Sequence, residues 1–270
     1  MLSQNLRSLY KFKKMKNILI PFLSLLLFSA AVNAQLKEVK YSDGNQKLNG
    51  LAIAPLKGSK TKPGILILPA WKGIDNHSKE SANKLSKMGY YAFIADIYGE
   101  GNYPTNTQEA GKQAGFYKKN YADYQRRMQL ALDQLIKAGA NPDNIVAIGY
   151  CFGGTGVLEA ARAGMKIQGA ISFHGGLGRD ASRINSPINT RILVLHGADD
   201  PYVPVTEITA FQQEMRDTKA DWEMIYYADA VHAFTEPAAG NDNSKGAAYN
   251  KKASERSWER MKAFLKDVLK

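Results

Sequence analysis

Short apolar runs recur along this chain at residues 64–68, 90–96, 144–148, 167–173 and 191–196, and each is apolar at consecutive positions and not merely at alternate ones. Successive side chains of a strand point to opposite faces, so a run without alternation belongs to a strand covered on both sides. Strands of that kind form parallel sheets, whose neighbours are joined by crossovers of a dozen or more residues, usually helical. The intervening segments supply such crossovers. Residues 75–88 have helical periodicity and end at Gly89, and 107–138 carry it again, either as one broken helix or as two helices meeting near Asn120. Further helices are expected over 153–163, 205–216 and from about 245 to 268, with a strand over 222–227. A hairpin over 36–54, turning at Asp43-Gly44-Asn45, completes the pattern. The alternation predicts a doubly wound, mostly parallel sheet of roughly seven or eight strands flanked by helices, with antiparallel additions at the N-terminal edge.

A sheet of that size needs one substantial core, which 270 residues with 44% hydrophobic content can provide. The folded domain is expected over 35–270, because residues 1–34 read as a secretory signal peptide. Lys11, Lys13, Lys14 and Lys16 precede an apolar run over 18–32, which closes on Val32-Asn33-Ala34 before Gln35. At about fifteen residues that run is shorter than the ~20 a membrane-spanning helix needs. Export to a periplasm or the exterior is therefore expected, starting from Met1 or Met15, with no stable membrane anchor after cleavage; an uncleaved anchor is the alternative. Five basic residues and no acid leave with the segment, so the net charge of +11 falls to about +6, too modest to indicate a nucleic-acid partner. The chain has one cysteine, and in an exported protein a lone cysteine is either buried and inert or kept for its reactivity.

That residue is Cys151, in Gly149-Tyr150-Cys151-Phe152-Gly153-Gly154, directly after the run 144–148. A nucleophile set in G-x-S-x-G on a sharp strand-to-helix turn is the elbow of the α/β-hydrolase fold, where strained backbone and flanking glycines expose the reactive atom. Here cysteine replaces serine. Taken alone, the pentapeptide also fits a small apolar cysteine under a turn.

A nucleophile of this kind needs a base, and the base an orienting acid, in the chain order nucleophile, acid, base. The stretch Gly197-Ala198-Asp199-Asp200-Pro201-Tyr202-Val203-Pro204 follows the apolar run 191–196 and supplies the acid. Asp200, three residues before Val203, is preferred, and Asp199 stays open. His232, in Val231-His232-Ala233-Phe234-Thr235 after the 222–227 strand, supplies the base. Each residue alone has a plainer reading, as turn former or packing histidine, but their order and strand context agree. His196 is expected to be structural, His174 to line the pocket, and His77 to cap a helix. The histidines and carboxylates show no metal-ligand spacing such as H-E-x-x-H, so neither metal nor cofactor is expected.

These three motifs resemble the dienelactone hydrolase family, whose elbow carries cysteine in a Tyr-Cys-Phe-Gly-Gly setting, and the resemblance covers nearly all of the mature chain. It implies an α/β-hydrolase fold and a Cys-His-Asp triad of Cys151, His232 and Asp200. The Cys151 thiolate, favoured by the helix N-terminus behind it, would attack an ester or lactone carbonyl to form an acyl-enzyme. Backbone N–H groups of Phe152 and Trp71 would hold the oxyanion. Founding members carry a glutamate after the first core strand and an arginine after the base histidine that grips a substrate carboxylate. This chain has Ala70 and Thr235-Glu236-Pro237 at those places, so activation and substrate are expected to differ from the namesake's. The expected partner is a small neutral ester or lactone, in a pocket including Trp71, Tyr98, Tyr150 and His174, which favours apolar or aromatic groups. The sequence does not specify an oligomeric state. The alternative reading is a small-molecule binding protein that keeps the fold without efficient chemistry, which an unreactive Cys151 would support.

Overall fold

A computed structural model describes residues 35–269, and the segment read as a signal peptide, 1–34, lies outside them. The chain opens with the expected hairpin, β1 (Lys37–Asp43) and β2 (Gln46–Ile53), and β2 pairs antiparallel with β4 (Tyr91–Ile94). From β4 onward all pairing is parallel, through β3 (Gly64–Leu68), β5 (Ile145–Tyr150), β6 (Gly169–Phe173), β7 (Arg191–Gly197) and β8 (Trp222–Tyr227). The eight strands form one sheet in the order β1-β2-β4-β3-β5-β6-β7-β8.

Side chains within each apolar run divide between the two faces. Leu66, Leu68, Ala147, Ala170 and Val194 pack with α2 (Thr107–Lys119), α3 (Tyr121–Lys137), α4 (Phe152–Arg162) and α5 (Val205–Asp217). Their neighbours Ile65, Ile67, Val146, Ile148, Ile171 and Leu195 pack on the other side with α1 (Asn76–Lys87) and α6 (Lys251–Val268). This two-sided burial is why the central strands carry no polar alternation, and each such Leu, Ile or Val side chain contributes about 1.5–3 kcal/mol relative to exposure.

Helix limits follow local capping. Asp75 and Ser78 form a reciprocal capping box at the start of α1. Asn120, at φ −101° and ψ 62°, breaks the helical path, so 107–138 is two helices. The last helix begins at Lys251, later than the expected 245, because Asp242 caps a short 3-10 turn at Asn243–Lys245 that Gly246 closes at φ 75°. Asn250 then caps α6 through the Ala253 N–H.

The chain winds from β3 to β4 on one side and returns to β5 on the other side of β3. The carboxyl ends of β3 and β5 therefore flank the switch point, the usual position of a binding crevice in such sheets.

Candidate active site

Cys151 is the single residue between β5 and α4, at φ 53° and ψ −112°. A positive φ at a non-glycine residue costs about 1–3 kcal/mol and persists only where the surroundings impose it. Here the Cys151 N–H donates to the Phe173 carbonyl at 3.0 Å, and the Thr155 N–H donates to the Cys151 carbonyl at 3.2 Å. The Tyr124 hydroxyl donates to the Phe152 carbonyl at 3.0 Å, while the two rings stack at 4.6 Å. The elbow also needs its glycines. A Cβ on Gly149 would lie 2.0 Å from the Gly153 carbonyl oxygen, and one on Gly153 would lie 2.1 Å from that of Leu68. Only bare backbone lets α4 pass this close to β5 and to the end of β3.

Three side chains from three loops meet at the turn. The Cys151 Sγ lies 3.0 Å from His232 Nε2, and His232 Nδ1 lies 2.9 Å from Asp200 Oδ2. The Asp200 side chain is fully buried and its other oxygen accepts the Tyr202 N–H at 2.9 Å. Asp199 is exposed, and its N–H donates to the Ala230 carbonyl, so of the two acids Asp200 is the one that reaches the histidine. The His232 backbone is pinned on both sides, donating to the Gly246 carbonyl at 3.2 Å and accepting the Ala248 N–H at 3.0 Å. Burial opposes charge on His232, but hydrogen bonds to Asp200 and Cys151, and the charges of both, push its pKa up to about 10. The Tyr202 ring stands perpendicular to the His232 imidazole with centroids 5.3 Å apart, and Tyr202 is 59% exposed, which makes it a wall beside the base that the sequence reading did not single out.

The loop after β3 crosses the first turn of α4, since the Leu68 and Pro69 carbonyls are the atoms nearest Gly153. Tyr98 links this loop to α4, bonding the Trp71 carbonyl and stacking on Phe152, the first residue of α4, whose N–H has no partner within its helix. Neither the Trp71 nor the Phe152 N–H has a hydrogen-bond acceptor among the described residues. The Tyr98 hydroxyl donates to the Trp71 carbonyl at 2.6 Å and fixes this loop.

The residues expected in the pocket differ in exposure. Trp71 is partly exposed, whereas Tyr98, Tyr150 and His174 are almost fully buried, and Tyr150 lines a cavity with His77, Ser81 and Thr235. Tyr98 stacks on Phe152 at 5.9 Å, and the Tyr150 hydroxyl shares a hydrogen bond with Ser81 at 3.0 Å on the far face of the sheet. His174 sits under the elbow with Nδ1 facing the Cys151 N–H. These aromatic residues stand at or just beyond strand ends, where direction decides between pocket and core. Ala70 is buried, and position 70 brings no carboxylate to the thiol. Glu236 is partly buried, and one of its carboxylate oxygens is enclosed without a hydrogen-bond partner among the described residues. Burial, helped by the charge of Asp75 and countered by His232 and Lys72, pushes its pKa up to about 7.

Residues 48–269 match the model of the dienelactone hydrolase family. The crystal structure of the dienelactone hydrolase-like promiscuous phosphotriesterase P91, from metagenomic libraries, is 33% identical with a TM-score of 0.82, covering 88% of this chain and 100% of that one. A second solved structure, m3DLH, is 32% identical with a TM-score of 0.82 over 87% of this chain and 99% of its own. A probable 2-oxo-3-(5-oxofuran-2-ylidene)propanoate lactonase from Bradyrhizobium sp. is 25% identical over 235 residues, covering 83% of this chain and 91% of the relative. With an α/β-hydrolase sheet and a match over most of its length, the chain belongs to the dienelactone hydrolase family and is a hydrolase of lactones or esters.

Proposed function

We propose that this hydrolase works through a Cys151-His232-Asp200 triad on neutral carboxylic esters or lactones, by way of an acyl-enzyme. The observation that carries the reading is the unbroken line of contacts, Sγ to Nε2 at 3.0 Å and Nδ1 to Oδ2 at 2.9 Å, at the tip of a strained elbow. Against the opposing effect of burial, the pKa of His232 is raised by its hydrogen bonds to Asp200 and Cys151, which supports an imidazolium beside the sulfur. Asp200 accepts from Nδ1–H and fixes the ring orientation. The sulfur attacks the carbonyl carbon, and the N–H groups of Phe152 and Trp71 receive the developing oxyanion. As the intermediate collapses, His232 Nε2–H passes its proton to the leaving alkoxide and leaves a thioester on Cys151. The neutral imidazole then takes a proton from water as it attacks that thioester, and collapse breaks the C–S bond, releases the acid and restores the thiolate beside the imidazolium.

Two features bear on the substrate. Above about pH 7 Glu236 is charged in the base loop, and that charge disfavours carboxylate-bearing substrates near it. Trp71 and Tyr202 give the mouth an aromatic rim, which suits apolar acyl or alcohol groups. The sequence pattern of residues 1–34 supports export, and N-terminal sequencing of protein from the producing cell should find Gln35 first.

The test is a panel of neutral esters, lactones, their carboxylate-bearing analogues and one phosphotriester, assayed with wild type and Cys151→Ala. The reading requires turnover of neutral acyl substrates that Cys151→Ala abolishes. Turnover that survives the substitution, or none on any acyl substrate, refutes it.

A further inference from the structure

Behind the elbow lies a chain of polar groups that the proposed reaction does not touch. His174 follows β6 at φ 40°, is fully buried, and has its Nδ1 3.2 Å from the Cys151 N–H. Its Nε2 lies 2.8 Å from Thr235 Oγ1, and that same oxygen lies 3.3 Å from His77 Nε2. A backbone N–H only donates, so His174 Nδ1 must accept and the proton of the neutral ring sits on Nε2. Nε2–H then donates to Thr235 Oγ1, which leaves the Thr235 hydroxyl proton for His77 Nε2 and fixes that ring as the Nδ1–H form. All three hydrogen bonds thus run in one consistent direction. Both rings stay neutral. Burial, reinforced by the neighbouring histidines, holds the pKa of His174 well below its ordinary value, and burial also lowers that of His77.

We propose that His174, locked by Thr235 and His77 as its Nε2–H tautomer, is a positioning residue that anchors the Cys151 amide and so keeps the sulfur aligned on His232. Cys151 and His174 each have a positive φ, and the side chain of the second braces the backbone of the first. The other tautomer would aim an N–H at an N–H and leave the shared Cys151 amide to the Phe173 carbonyl alone, 3.0 Å away. The His174 ring also stands edge-on to the His232 ring at 5.4 Å, so the same anchor backs both the nucleophile and the base. This inference rests on Cys151 acting as the nucleophile.

The experiment uses the full chain with Thr235→Val, which removes the hydroxyl at nearly constant shape, and Thr235→Ser, which retains it. Nitrogen-15 NMR of the imidazoles reads the His174 tautomer, and alkylation of Cys151 by iodoacetamide reads the sulfur without any substrate. Wild type and Thr235→Ser should show the Nε2–H tautomer, and Thr235→Val a mixture with Nδ1–H. With that mixture, alkylation and kcat should each fall about tenfold, the rate equivalent of one hydrogen bond, with KM changed less than about twofold. A wild-type His174 with a proton on Nδ1, or Thr235→Val with unchanged alkylation, overturns the proposal. Absence of ester turnover in every form would refute the catalytic reading alone, because tautomer and alkylation still report the brace.

Discussion

Glu236→Gln should stabilise this protein, and only at neutral to alkaline pH. The enclosed oxygen Oε1 has no hydrogen-bond partner among the described residues, and burial together with Asp75 moves the carboxyl pKa from 4.5 to about 7. A carboxyl whose pKa is raised on folding binds its proton more tightly in the native state. Its penalty is absent below about pH 4.5, grows as pH rises, and is complete above about pH 7. At ~1.4 kcal/mol per pH unit, the gap between 4.5 and about 7 is worth about 3 kcal/mol. The amide of glutamine has nearly the same shape and no charge to bury. Urea unfolding under reducing conditions should therefore find the two proteins about equal near pH 4.5, with the variant about 3 kcal/mol more stable at pH 8.5. For a domain of this size that corresponds to roughly 6–12 °C in Tm. An equal difference at both pH values, or a less stable variant at pH 8.5, would refute the claim that an ionised Glu236 is held in an unfavourable setting.

The remaining predictions concern the elbow and the triad. Asp200→Asn should lower kcat by roughly 10³–10⁴, and an NMR titration should find the His232 pKa well below about 10 once the carboxylate is gone. Tyr98→Phe removes the 2.6 Å hydrogen bond to the Trp71 carbonyl, worth about 1 kcal/mol, and should reduce kcat about fivefold with little change in KM. Gly149→Ala would place a Cβ 2.0 Å from the Gly153 carbonyl oxygen, against backbone that cannot swing aside as a side chain would, and should cost about 3 kcal/mol or more in urea unfolding.

The sheet was legible in the sequence because residues such as Leu66 and Ile67 are apolar for opposite faces, a pattern that a strand open to water on one face does not produce. The antiparallel hairpin and the division at Asn120 followed from local turn chemistry. The order of Cys151, Asp200 and His232 placed three loops at one end of the sheet, and this much needs only strand counting. Choosing between Asp199 and Asp200 needed the acid loop's actual path, since adjacent residues differ there in burial and direction. The burial of Tyr98, Tyr150 and His174 was not readable from sequence, because an aromatic residue at a strand end is compatible with either pocket or core. Neither the enclosed oxygen of Glu236 nor the link from His174 through Thr235 to His77 could be foreseen. They join residues 61 and 158 positions apart in the chain, in the case of Thr235 and its two histidine partners, and no local pattern marks them.

The central claim is that Cys151 carries the acyl group, and trapping that group tests it most directly. His232→Ala, incubated with a short activated ester and followed by intact-mass and peptide mass spectrometry, should accumulate one acyl group per chain on the peptide containing Cys151, and Cys151→Ala should accumulate none. An acyl group found on any other residue, or Cys151→Ala turning over esters as fast as wild type, would contradict the account.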